Sequence, residues 1–187
     1  MIYPQKINAR KSSIIIKSLI LVSILLGIIL VVINKIITPK IHWAAMCNAG
    51  IIYIWVTVMY SINKNVNIAG HVMIQTIAIS VLTTYIDYLL GFKGWSINLA
   101  IPILITIANV SMLVLTIISY KKYIRYAIYQ LIIVIFSIIP IFLIYENIAN
   151  YKELCYIATG ISILNLLITL ILSQKDVTEA VKRKFHL

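Results

Sequence analysis

The stretch that decides the fold is residues 76–116, TIAISVLTTYIDYLLGFKGWSINLAIPILITIANVSMLVLT. It holds most of one apolar run, 68–90, then Gly91-Phe92-Lys93-Gly94, then most of a second run, 97–119. At 100° per residue, Thr76, Ser80, Thr83 and Asp87 fall within about 60° of arc, and Asn98, Pro102, Asn109 and Thr116 within about 40°. The spacing predicts two membrane-length helices, each carrying one polar stripe along an otherwise apolar surface.

Outward from this stretch the same pattern continues. The chain has 187 residues, 62% of them apolar and 11% charged, and a mean hydropathy of +1.03, which puts it outside the soluble globular class. A spanning helix needs roughly 20 apolar residues, because lipid offers no partner to an unpaired backbone group. Six runs qualify: 14–33, 43–61, 68–90, 97–119, 123–145 and 154–173. The links are short, about 3 to 9 residues, which makes successive helices antiparallel neighbours. The fold class expected is therefore an all-α integral membrane bundle of six helices. Residues 1–13 form a basic N-terminus, 14–173 the membrane domain and 174–187 a basic tail. The start of the chain lacks the pattern of a signal peptide, so the first run is expected to remain as a helix.

Basic residues divide unequally between the two faces. Lys6, Arg10, Lys11, Lys17, Lys64, Lys121, Lys122, Arg125, Lys175, Lys182, Arg183 and Lys184 fall on one side, against Lys35, Lys40, Lys93 and Lys152 on the other. The positive-inside rule then puts both termini in the cytoplasm of a cell membrane. A net charge of +11 could signal nucleic acid, but these charges hug the helix ends. They are read as topogenic and as contacts for anionic lipid headgroups, with no nucleic-acid partner.

A mark recurs along the chain. Nine residues after Asn34 comes Trp43, eight after Asp87 comes Trp95, and eight after Glu146 comes Leu154. This reads as three helical hairpins, each with a polar residue closing its first helix, arranged as a pseudo-threefold repeat. Every helix also has a face of small and polar residues: Ser23, Gly27 and Asn34; Ala44, Asn48 and Trp55; Tyr126, Gln130, Ser137 and Pro140; Cys155, Ala158, Ser162, Asn165 and Thr169. Such faces are expected to point at other helices, where close approach and interhelical hydrogen bonds hold a bundle together. They serve either as packing surfaces or as the lining of a polar cavity. For a cavity, the candidate ligand-binding residues are Asn34, Trp43, Asn48, Asp87, Trp95 and Asn98, all in the outer third. Asp87 leads, since an ionisable group inside a span normally has a partner or a task. Trp43 and Trp95 read most simply as aromatic-belt anchors, with a stacking wall for a ligand as the second reading. His71 falls away from the Asp87 stripe, at the start of its helix. Pro102 and Pro140 are expected to kink helices 4 and 5.

No Walker loop, HExxH, GxSxG or catalytic triad pattern occurs, so no catalytic residues, metal or cofactor are assigned and the chain is not read as an enzyme. Cys47 and Cys155 have no metal-binding spacing and read as small hydrophobes. The tail reads as an interfacial anchor with Phe185 dipped into lipid.

The ending Lys184-Phe-His-Leu187, the opening Tyr3-Pro4-x-Lys6-Ile7 and the repeated Trp at 43 and 95 resemble an uncharacterised family of bacterial, mainly Firmicute, six-helix membrane proteins. Many of its members carry a zinc ribbon ahead of the first helix. No cysteine precedes Cys47, so no zinc site carries over, and the resemblance implies no activity. In size and topology the chain is also similar to the substrate-binding components of energy-coupling-factor vitamin transporters. Helix 1 lacks their AlaxxxAla docking pattern, and Ala45 to Ala49 in helix 2 is a poor substitute. Two functions follow: a structural or accessory membrane subunit with a membrane-protein partner, or a small-molecule binding or transport protein with an outward polar vestibule. A membrane enzyme stands behind both.

Overall fold

The computed structural model describes residues 9–62, 67–118, 123–146 and 152–185, and the side chains of 14–62, 67–118, 128–146 and 152–171. The backbone of Lys6, Lys64, Lys121 and Lys122 lies outside the described residues, as do the side chains of Arg10, Lys11, Arg125, Tyr126, Lys175, Lys182, Arg183, Lys184 and Phe185. Among the described residues the chain is all-α. Its helices are α1 (Ala9–Ile37), α2 (Trp43–Ile62), α3 (Ile68–Leu89), α4 (Ile101–Ile118), which a π-helical stretch Ser96–Ala100 precedes without a break, α5 (Tyr123–Tyr145) and α6 (Lys152–Phe185). Each contains a segment long and apolar enough to cross a membrane, which makes this a multi-pass membrane protein.

The chain divides into two compact units, Met1–Ile54 and Trp55–Leu187, with the boundary inside α2. In the first unit, α1 presents apolar side chains almost all round, and Gly27 and Asn34 are its only buried residues among those described. A helix apolar on every side has no use for water as a neighbour. Gly27 is where α2 approaches: Asn48 Nδ2 donates to Gly27 O at 3.3 Å, and a Cβ at 27 would lie 2.6 Å from Asn48 Oδ1. Any side chain at 27 would have to displace this amide.

In the second unit α4 packs against α3, α5 and α6, while α5 packs against α3 and α6. The polar stripes turn inward. Thr76, Ser80 and Asp87 of α3, Pro102, Asn109 and Thr116 of α4, Gln130 and Ser137 of α5, and Ser162, Asn165 and Thr169 of α6 are all buried. Apolar packing fills the space around them in two clusters. One joins Ile97, Ile101 and Ile105 to Ile144, Cys155 and Ala158; the other joins Ala69 to Ala108, Met112 and Ile133. Both cysteines are free thiols, Cys47 exposed and Cys155 buried.

Three local features differ from the sequence reading in detail. Pro102 does not sit deep in α4 but at its second position, behind the π-helical stretch, where the Ile101 N–H reaches Ser96 O five residues back. The helix is continuous across this point, and the widened turn before the proline accommodates its ring and its missing N–H. α1 begins before and ends after the apolar run, at Ala9 and Ile37. α6 continues through the polar sequence to Phe185 as one 34-residue helix, because Ser173 and the residues after it include neither glycine nor proline to stop it.

Candidate functional site

Asp87 is the only charged side chain buried among the described residues, with no exposed surface. Its position follows from how α3 ends. Gly91, at φ +90°, lets the chain reverse, so that the Gly91 N–H donates to Tyr88 O at 3.1 Å and the Phe92 N–H to Asp87 O at 2.9 Å. These are the two bonds of a Schellman cap, which needs a left-handed residue just past the helix. The reversal brings the following backbone over the Asp87 side chain. Oδ1 accepts from the Lys93 N–H at 3.0 Å, and Oδ2 from the Ser96 N–H at 3.2 Å and the Ser96 hydroxyl at 2.8 Å.

This carboxylate does for the next helix what a local N-cap residue usually does. Trp95 has no side-chain capping bond to offer, and the Ser96 N–H opens the π-helical stretch without an intrahelical acceptor. A negative side chain at that end also suits the helix dipole. Gly94 completes the turn at φ +76°, and its carbonyl accepts from the Asn98 N–H at 3.0 Å.

Asn34 makes a corresponding arrangement in the first unit. Its Oδ1 accepts from the Ala44 N–H at 3.1 Å, the residue after Trp43, as Ser96 is the residue after Trp95. Its Nδ2 donates to Thr38 O and Ile41 O, both at 2.7 Å. Trp43 Nε1 donates to Thr38 Oγ1 at 2.7 Å, so the indole is part of the same clamp. The two clamps differ in chemistry as their loops differ. The 38–41 segment presents carbonyls as well as an N–H, which an amide can match from both ends. The 93–96 segment presents donors alone, which suit an acceptor-only carboxylate.

Of the six candidate residues, Asn34, Trp43 and Asn48 lie in the first unit and Asp87, Trp95 and Asn98 in the second. Asn34, Asp87 and Asn98 are buried, while Trp43, Asn48 and Trp95 are half-buried. Glu146 is exposed at the end of α5. Residues 147–151, which would complete a third copy, fall outside the described residues. His71 lies edge-on to Tyr60, ring centroids 5.1 Å apart. Sequence reasoning did not name Thr38 or Ser96 as partners; the available signal was a hydroxyl residue near a helix start, in the place where a capping group is wanted.

Deeper in the second unit a polar seam joins α4, α5 and α6. Asn109 Nδ2 donates to Ser162 Oγ at 2.6 Å, and Asn165 Nδ2 donates back to Asn109 O at 2.7 Å. Thr169 Oγ1 bonds to Gln130 Oε1 at 2.7 Å, and the Thr159 hydroxyl to Ser137 O at 2.9 Å. Gln130 Nε2 and Asn165 Oδ1 are buried without a partner.

A separate feature is a cavity of about 570 Å³ bounded by α3, the start of α4, α5 and Phe92. Its lining is mostly aliphatic and aromatic, with Ser80 and Thr84 among it, and includes none of the six candidate residues. Among the described residues no three His, Cys, Asp or Glu side chains gather as a metal site.

No curated protein and no solved structure matches the chain. The profile of a family of unknown function, DUF6320, matches residues 3–187. The match covers all but the first two residues, and the chain belongs to the DUF6320 family.

Proposed function

We propose that this protein is a structural or accessory subunit of a membrane, without catalytic activity of its own. The observation that carries the reading is the state of Asp87. The one buried charge among the described residues has both carboxylate oxygens committed to the backbone and hydroxyl of the loop that follows it. A transport or catalytic carboxylate needs an oxygen that meets solute, ion or proton. The amides of α4 and α6 point the same way, since they bond to neighbouring helices.

The reading places the protein in a bacterial cell membrane with both termini in the cytoplasm, supported by the twelve-to-four division of basic residues. The three helical hairpins are read as copies of one unit, supported by the like use of Asn34 and Asp87. A partner of the same membrane follows from the wholly apolar flank of α1, and anionic lipid from the basic face.

Cross-linking in the intact membrane, followed by purification in mild detergent and mass spectrometry, tests this. The expected result is one membrane protein recovered in stoichiometric amount. Saturable uptake of a hydrophilic solute by the reconstituted protein, lost in Asp87→Asn while the melting temperature holds, would overturn it in favour of transport through an outward polar vestibule.

A further inference from the structure

The cavity in the second unit is not explained by an accessory role, and its construction is specific. It runs beside α3 from Ser80 to Tyr88, about 12 Å along the helix axis at 1.5 Å per residue, and Phe92 lines it at the loop end. At about 570 Å³ it falls within the roughly 300–1,000 Å³ typical of ligand sites. Val81, Tyr85 and Ile139 line it and are exposed, so it opens on the outer surface of α3 and α5, two helices long and apolar enough to cross a membrane. The two aliphatic hydroxyls in its α3 wall donate to their own helix, Ser80 to Thr76 O at 2.7 Å and Thr84 to Ser80 O at 2.8 Å. A polar solute would leave its hydration shell for a wall that returns little.

Phe92 adds an independent observation. It is the one non-glycine residue with a positive φ, +52°, among the described residues. An aromatic side chain in the left-handed region is strained, and such strain marks places where the fold holds a residue for a purpose. Here Asp87 holds it from both sides, through Asp87 O on the Phe92 N–H and Oδ1 on the Lys93 N–H. Phe92 lines the cavity, and Lys93 is the residue that follows it. The Lys93 side chain is exposed.

We propose that this cavity is a binding site for one acyl chain of an anionic glycerophospholipid, the tail lying along α3 and α5 and the phosphate meeting Lys93. The lining is apolar as a hydrocarbon chain is, it belongs to helices long and apolar enough to cross a membrane, and an exposed cation, Lys93, directly follows the lining residue Phe92 at the loop end of α3. A second copy of this protein would have to fit a helix of about 10 Å diameter with its side chains into the same space.

The test is native mass spectrometry of the full chain, delipidated in detergent and titrated with phosphatidylglycerol or phosphatidylcholine of identical acyl chains. The expected result is one lipid per chain, with phosphatidylglycerol preferred about fivefold and the preference lost in Lys93→Gln. Ile139→Trp and Val81→Trp fill the cavity from α5 and from α3 at exposed positions, so at least one is expected to fold. In a variant whose melting temperature is unchanged, lipid retention should fall about tenfold, a difference of 1.4 kcal/mol. Retention unchanged in a folded filled variant, equal retention of the two lipids by the wild-type chain, or a lipid-free dimer would each overturn the proposal.

Discussion

At the scale of single residues, Asn34 and Asp87 are nearly isosteric, yet each is suited to its own loop and unsuited to the other. Asp87→Asn would turn an NH₂ toward the Lys93 N–H or the Ser96 N–H, donor against donor. Asn34→Asp would place a carboxylate against Thr38 O and Ile41 O, acceptor against acceptor. Each substitution is expected to lower stability by about 1–3 kcal/mol, the cost of leaving buried groups unpaired. Thermal unfolding in detergent checks this, and an exchange that leaves the melting temperature unmoved would remove the complementarity argument. Gly94→Ala tests the turn itself. It forces a side chain to φ +76° with its Cβ 3.2 Å from Asn98 Nδ2, and about 1–2 kcal/mol should be lost. That Asp87 and Asn34 matter was legible in the sequence, because polar residues near the end of an apolar run stand out. What they do was not. Their partners are mostly backbone N–H and C=O groups, which every residue has and no sequence distinguishes.

At the scale of elements, the six apolar runs gave helix identity reliably, since lipid leaves backbone polar groups no alternative. Boundaries were harder: α6 crosses its change of composition without a break, and α4 is preceded by a π turn that no composition announces. The polar stripes of α3 to α6 do face inward, and the seam they form is open to a sharp experiment. Asn109→Leu removes the bond to Ser162 and leaves Asn165 short of a side-chain neighbour, so a loss of about 1–2 kcal/mol is expected. Gln130→Leu should behave differently. It deletes a buried N–H that has no partner, while the Thr169 hydroxyl keeps Asn165 O at 3.0 Å. Stability is expected to stay level or rise. A loss comparable with that of Asn109→Leu would mean that Gln130 Nε2 bonds to a group that the helices themselves do not supply.

At the scale of the whole molecule, orientation rests on charge alone. A reporter at the C-terminus is expected to read cytoplasmic, and Lys40→Cys in a Cys47→Ser background is expected to react with an impermeant thiol reagent from outside. The reverse pattern would undo the reading of the basic residues. The cavity beside α3 was missed in the sequence for a physical reason. Tyr85 and Tyr88 lie three residues apart and share one flank of α3, but an aromatic flank on a spanning helix is equally expected where nothing binds. Only the third wall, contributed by α5 about fifty residues later, turns it into a slot.

The clamps also constrain how the chain can be engineered. In each, a side chain on one helix fixes the first free amide of the next, so the number of residues between Asn34 and Ala44, and between Asp87 and Ser96, is part of the geometry. An epitope tag spliced into either segment should disrupt folding even though both are short surface turns of the type usually chosen for tagging. A surface label is better introduced by replacing a side chain there than by lengthening the chain.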